Sequence, residues 1–182
     1  MTQNKIIIGL VGQIASGKGT VAEYLEKNHN ALTFRFSTIL RDVLKRLHVE
    51  NSRENLQNLS TILRQKFGED LLAKVMAGDV ENTDNSIVVV DGIRRMADIK
   101  YLKELSNFKL LSVVADPKIR YERAISRSEN SGDNKKTYED FLADQQKEAD
   151  AEIPQVMQNA NIEINNDQNF ENLYEQINKI IK

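Results

Sequence analysis

Apolar positions along this chain follow two alternating rhythms. Short apolar runs such as Ile6-Ile7-Ile8-Gly9-Leu10-Val11 and Ile87-Val88-Val89-Val90 are rich in β-branched residues and predict buried strands. The strand segments are 5–11, Ala31–Phe36, Ser86–Val90, Phe108–Val114 and Ile162–Asn165. Between them, apolar residues recur at helical spacing and predict helices near 18–27, 38–48, 53–77, 95–106, 117–128, 137–158 and 169–181. In the third of these, Leu56, Leu59, Ile62, Leu63, Phe67, Leu71 and Leu72 form one apolar face, which reads Arg64 as solvated. Thr137-Tyr138-Glu139-Asp140 has the form of a capping box. Strands separated by helices imply an α/β domain: a doubly wound, five-stranded parallel sheet with helices on both faces. Ligands then bind outside the carboxyl ends of the strands. With 182 residues and no linker, one domain spanning 1–182 is expected.

Composition narrows the classes. The 25 basic and 27 acidic side chains leave a net charge of −2, so no bulk field draws the chain to nucleic acid or to an anionic membrane. No apolar stretch approaches a membrane span, and a cytoplasmic monomer or homodimer is expected. With no Cys and only His29 and His48, disulfides and thiolate zinc sites are excluded.

The first strand runs directly into Gly12-Gln13-Ile14-Ala15-Ser16-Gly17-Lys18-Gly19-Thr20, and a helix follows. Gly12 and Gly17 allow the backbone to curl, so that successive N–H groups point at one anion beside a helix N-terminus. Gln13, Ala15, Ser16 and Gly19 contribute to that cradle, and Lys18 adds a positive charge for the outer phosphates. A surface turn holding a lysine would explain the glycines, but it requires neither the strand before nor the helix after. The segment predicts binding of a nucleoside triphosphate, ATP, with Mg²⁺. In the common loop the hydroxyl follows the lysine immediately; here Gly19 intervenes and the hydroxyl belongs to Thr20.

Asp91 ends the Val88-Val89-Val90 run, at the carboxyl edge of a buried strand. A carboxylate there can hold Mg²⁺ or its water shell, whereas Asp91-Gly92 is also a common turn pair. Arg94 and Arg95 follow at a predicted helix start, where basic residues suit the helix dipole poorly and an anionic partner would suit them well. Arg120, Arg123 and Arg127 share one helical face, ahead of the polar tract 128–136.

The Gly-Lys-Gly-Thr ending of the loop resembles the adenylate kinase group of nucleoside monophosphate kinases. Asp91-Gly92-Ile93-Arg94-Arg95 resembles that group's Asp-Gly-Phe-Pro-Arg segment, which implies an arginine on the acceptor phosphate, Arg94 or Arg95. Phe36-Ser37-Thr38-Ile39-Leu40-Arg41 resembles its acceptor segment shortened by two residues, implying Arg41 on the acceptor phosphate and Ser37 near its sugar or base. Arg123 and Arg127 resemble lid arginines that clamp the transferred group. The lid then covers about 120–138 and the acceptor-binding helices about 37–80. Adenylate kinases proper carry Gln eight residues after the Asp, where this chain has Ile99.

End to end, the chain is similar to small archaeal-type, adenylate-kinase-related nucleotide kinases. The stretch Ala160-Asn161-Ile162-Glu163-Ile164-Asn165-Asn166 also resembles the ending of dephospho-coenzyme A kinases. The resemblance implies a P-loop kinase: Lys18 and the loop hold the phosphates, Thr20 and Asp91 place Mg²⁺, Arg41 and Arg94 dock a small acceptor, and Arg123 and Arg127 act on the transferred group. A nucleoside monophosphate is the first acceptor. Dephospho-coenzyme A is the second, and a slow ATP-hydrolysing binding module is the non-catalytic alternative.

Overall fold

The computed structural model describes residues 5–127, 137–145 and 150–181. Five strands, β1 (Ile6–Val11), β2 (Leu32–Arg35), β3 (Ile87–Asp91), β4 (Phe108–Val114) and β5 (Ile162–Asn165), form one sheet in the order β2-β3-β1-β4-β5. Every pairing is parallel. The central strand, β1, runs beside β3 with Ile6 opposite Ile87, and beside β4 with Ile7 opposite Phe108. This is the predicted architecture, with strand ends within two residues of expectation.

Side chains alternate along each strand, so the unbroken apolar runs serve two cores at once. Ile7, Val11, Val88 and Val90 face one helical layer, while Ile8, Leu10 and Val89 face the other. The second layer comprises α1 (Lys18–His29) and α8 (Phe170–Ile181). Leu173, Ile177 and Ile180 of α8 recur at helical spacing and are buried with Val21, Ala22 and Leu25 of α1. Each such valine, leucine or isoleucine side chain contributes roughly 1.5–3 kcal/mol of transfer free energy.

The first layer holds α2 (Phe36–Arg46), α3 (Arg53–Phe67), α4 (Leu71–Glu81) and α7 (Ile153–Met157), whose Phe36, Leu40, Leu72, Met76, Ile153 and Val156 pack together. Two further helices, α5 (Pro117–Arg127) and α6 (Tyr138–Asp144), meet through Tyr121, Tyr138 and Phe141.

Three helical expectations change. The stretch 53–77 is two helices, because Gly68 takes φ 103°, a conformation that ends α3 and that a side chain would resist. The stretch 95–106 is two short 3₁₀ turns, Met96–Ile99 and Leu102–Glu104. The Asp98 carboxylate accepts the N–H groups of Arg94 and Arg95 and tightens the first of them. Within 137–158, α6 ends at Asp144 and α7 starts afresh at Ile153, with Pro154 in its first turn, where a missing N–H costs nothing. The capping box at Thr137 forms as expected: its hydroxyl accepts from Asp140 N at 3.1 Å.

Candidate active site

The loop between β1 and α1 sits at the carboxyl edge of the sheet. Ala15 adopts φ 58° and Gly17 φ 104°, so the chain coils left-handed ahead of the helix. A Cβ on Gly12 would collide with the backbone carbonyl of Val113, and one on Gly17 with the side-chain amide of Asn166. Glycine is therefore required at both positions by close approach, and at Gly17 by conformation as well. Gln13 O accepts from Ser16 N at 3.2 Å, which closes the turn. The Ser16 hydroxyl is buried inside it without a hydrogen-bond partner. An orphaned buried hydroxyl inside a glycine-bounded coil fits a bound anion.

Lys18 folds over the loop: its ammonium donates to the carbonyls of Gly12 at 2.6 Å and Gln13 at 3.0 Å. Burial pushes its pKa from the ordinary 10.5 down to about 8. Asp91 and Asp150 oppose that fall, while Arg94 and Arg120 add to it. These four side chains bear on the Lys18 charge, and they come from the end of β3 and the turn after it, from α5, and from the segment ahead of α7. Gly19 is exposed and Thr20 half-buried in the first turn of α1.

Asp91 stands opposite Arg35 at the ends of β3 and β2, with Arg35 Nε 3.4 Å from one of its oxygens. The other oxygen accepts from Gly92 N at 2.8 Å. Among the described residues no group of three or more His, Cys, Asp or Glu could cage a metal by itself. Mg²⁺ takes most of its oxygens from phosphate and water, so a hydroxyl and one carboxylate suffice on the protein side. Thr20 and Asp91 would hold it, and it would neutralise phosphate charge.

The turn after β3 separates the two arginines. Arg94 extends towards Asp150, with Nη1 3.0 Å from Oδ1, on the Lys18 side. Arg95 turns away to Glu69 at the α3–α4 junction, at 3.3 Å. Beneath them lies a buried pair: Asp98 accepts both backbone N–H groups through one oxygen at 3.0 Å and Arg64 Nη2 through the other at 3.2 Å. Arg64 is thus not solvated, as its place on the helix suggested; it is 8% exposed and also donates to Glu69 O. Helical spacing identified the apolar face but carried no sign of an acid reaching it from 34 residues away.

The arginine face of α5 divides as well. Arg120 is 2% exposed and braces the site, donating to Ala115 O, Ile14 O and Gln145 Oε1 and lying over the Phe141 ring. It belongs to the packed interior, which corrects the expectation of a lid beginning at residue 120. Arg123 donates from Nη2 to Asn166 O at 2.8 Å, and its buried Nη1 makes no hydrogen bond. Arg123 and Arg127 line a shallow cleft on α5 with Ile119, Glu122 and Ser126. The remainder of the expected lid, 128–136, lies outside the described residues.

Ser37 is half-buried in the first turn of α2, and Arg41 is exposed one turn on. Asn166 was not singled out as a site residue. It is 4% exposed and donates from Nδ2 to Ser16 O at 2.8 Å, tying the end of β5 to the phosphate loop. Its place at the close of Ala160–Asn166 was the available signal. Asp150 carried none.

Sheet order, loop and helix arrangement define a P-loop kinase fold. The profile of a family described as an AAA domain matches residues 8–153. A UPF0200 protein of Hyperthermus butylicus is 30% identical over 138 residues, which cover 76% of this chain and 73% of that protein. Another, from Methanocaldococcus jannaschii, is 25% identical over 179 residues, 97% of this chain and 89% of that one. The chain belongs to this archaeal-type UPF0200 family of P-loop, kinase-like proteins. Among solved structures, shikimate kinase from Bacteroides thetaiotaomicron shares the fold, with TM-score 0.62 at 15% identity over 96% of both chains. TT1252 from Thermus thermophilus also has TM-score 0.62, at 18% identity, covering 98% of this chain and 96% of that one.

Proposed function

We propose that this protein transfers the γ-phosphoryl group of ATP to a small acceptor that already carries a phosphate, a nucleoside monophosphate first among them. One observation carries the reading: Arg94 follows the end of β3, the strand paired with β1, and so emerges at the same sheet edge as the phosphate loop and Lys18. A guanidinium there would hold an anionic acceptor in line with the triphosphate. The bond between the γ-phosphorus and its bridging oxygen breaks to release ADP, and a bond forms to an acceptor phosphate oxygen.

Positioning and charge neutralisation dominate such a transfer. The loop amides and Lys18 hold the donor phosphates, Arg41 and Ser37 flank the acceptor, and Arg123 and Arg127 act on the migrating group. Asp91 and Asp150 are each paired with an arginine. A phosphate acceptor needs no base, whereas a hydroxyl acceptor such as that of dephospho-coenzyme A would gain from one.

The test is a coupled ADP-release assay with Mg²⁺ and ATP, run against (deoxy)nucleoside monophosphates and dephospho-coenzyme A. ADP release that depends on one monophosphate supports the reading. Release only with dephospho-coenzyme A would establish the hydroxyl acceptor, and slow release indifferent to any acceptor would establish the binding module.

A further inference from the structure

Asp150 lies three residues ahead of α7, and its position is built into the fold. Its carbonyl accepts from Ile153 N at 3.1 Å, at the start of α7, whose Ile153 and Val156 are buried in the core. Two residues on, Glu152 accepts Met96 N at 3.1 Å, so the segment is fastened to the arginine turn a second time. The Asp150 carboxylate therefore meets Arg94 at 3.0 Å from a fixed platform, and it also acts electrostatically on Lys18. Both partners remain accessible: the Arg94 side chain is 53% exposed and that of Asp150 32%.

We propose that Asp150 is an internal competitor for the acceptor anion: it occupies Arg94 in the free protein and is displaced when the acceptor binds. This rests on assigning Arg94 to the acceptor. An incoming carboxylate would exchange like for like at the guanidinium and gain little. A phosphomonoester brings nearly two charges and three acceptor oxygens, and it outcompetes a single carboxylate. Asp150 thereby sets a threshold that singles out phosphomonoesters as acceptors.

The experiment is a titration of methyl phosphate into the protein saturated with Mg²⁺ and ADP, followed through the NMR signal of the Arg94 guanidinium. Asp150→Asn and Asp150→Ala should tighten methyl phosphate binding roughly two- to fivefold, the range expected for an accessible ion pair. In an Arg94→Ala background, followed through the backbone amides of residues 92–95, Asp150→Asn should have no effect. Thermal melts confirm that each variant is folded. Unchanged or weaker methyl phosphate binding in both Asp150 variants would overturn the proposal and make Asp150 a positioning residue for Arg94. If Mg²⁺ and ADP fail to bind the wild type, the kinase reading falls, but the titration still reports whether Asp150 competes for Arg94.

Discussion

The two halves of the site are built by different means. Around the phosphate loop, the contacts are buried or half-buried and are made to backbone carbonyls: Asn166 on Ser16 O, Arg120 on Ile14 O, Lys18 on two loop carbonyls. On the side proposed for the acceptor, ion pairs between exposed or half-exposed side chains dominate, as in Arg94 with Asp150 and Arg95 with Glu69. A backbone cradle binds phosphate whatever molecule carries it, and it tolerates little change. Surface ion pairs are individually weak and easily exchanged, so the acceptor half is where relatives with this fold can diverge in substrate.

The largest expected effect lies in the buried half. Lys18→Ala should lower turnover by about a thousandfold, since a charge aimed at the transferring group is lost, while the melting temperature of the free protein stays nearly constant. Steady-state kinetics beside a thermal melt checks both; normal turnover would break the assignment of the loop.

Asp98→Ala tests whether the acceptor half has a buried anchor of its own. It strands the Arg64 guanidinium, costing roughly 3–5 kcal/mol and lowering Tm by on the order of 10 °C. It also frees the turn that aims Arg94, so the acceptor KM should rise in whatever fraction stays folded. A variant melting like wild type would mean that the pair is dispensable.

Arg94→Ala and Arg41→Ala should raise the acceptor KM about tenfold, the loss of a charged hydrogen bond, and move the KM for ATP far less. Equal losses for both substrates would erase the division between the halves.

The mildest effect is on pH. Lys18 titrates near 8 in the folded protein and near 10.5 when unfolded. Between those values the unfolded chain carries the extra proton, so stability of the free protein should rise as pH increases through that window. Nucleotide affinity should move the opposite way, falling as pH rises through about 8 and the ammonium discharges. Calorimetry across pH 7 to 10 measures both trends, and Lys18→Met should flatten them.

Much of this was legible in the residues themselves. Ile87–Val90 had to be covered on both faces, and the glycines bounding Lys18 required a tight curl, so the sheet and the loop followed from local pattern. What was hidden depends on contacts between residues far apart in the chain. Arg64 and Asp98, or Arg120 and Ile14, meet only after helices dock, and neither helical spacing nor charge count encodes the meeting. Gly68 was visible as a residue but not as a helix end, because the leucines on either side continue the same apolar face.

The contact between Asn166 and Ser16 spans 150 positions. As the chain leaves the ribosome, the loop at residues 12–20 is synthesised early, but the amide that braces it arrives only with the last strand. A nascent chain that has emerged only as far as β4 therefore holds the loop without its brace. On the reading that this loop takes a nucleotide, full capture waits for β5, and ligand binding would report that the whole sheet has assembled.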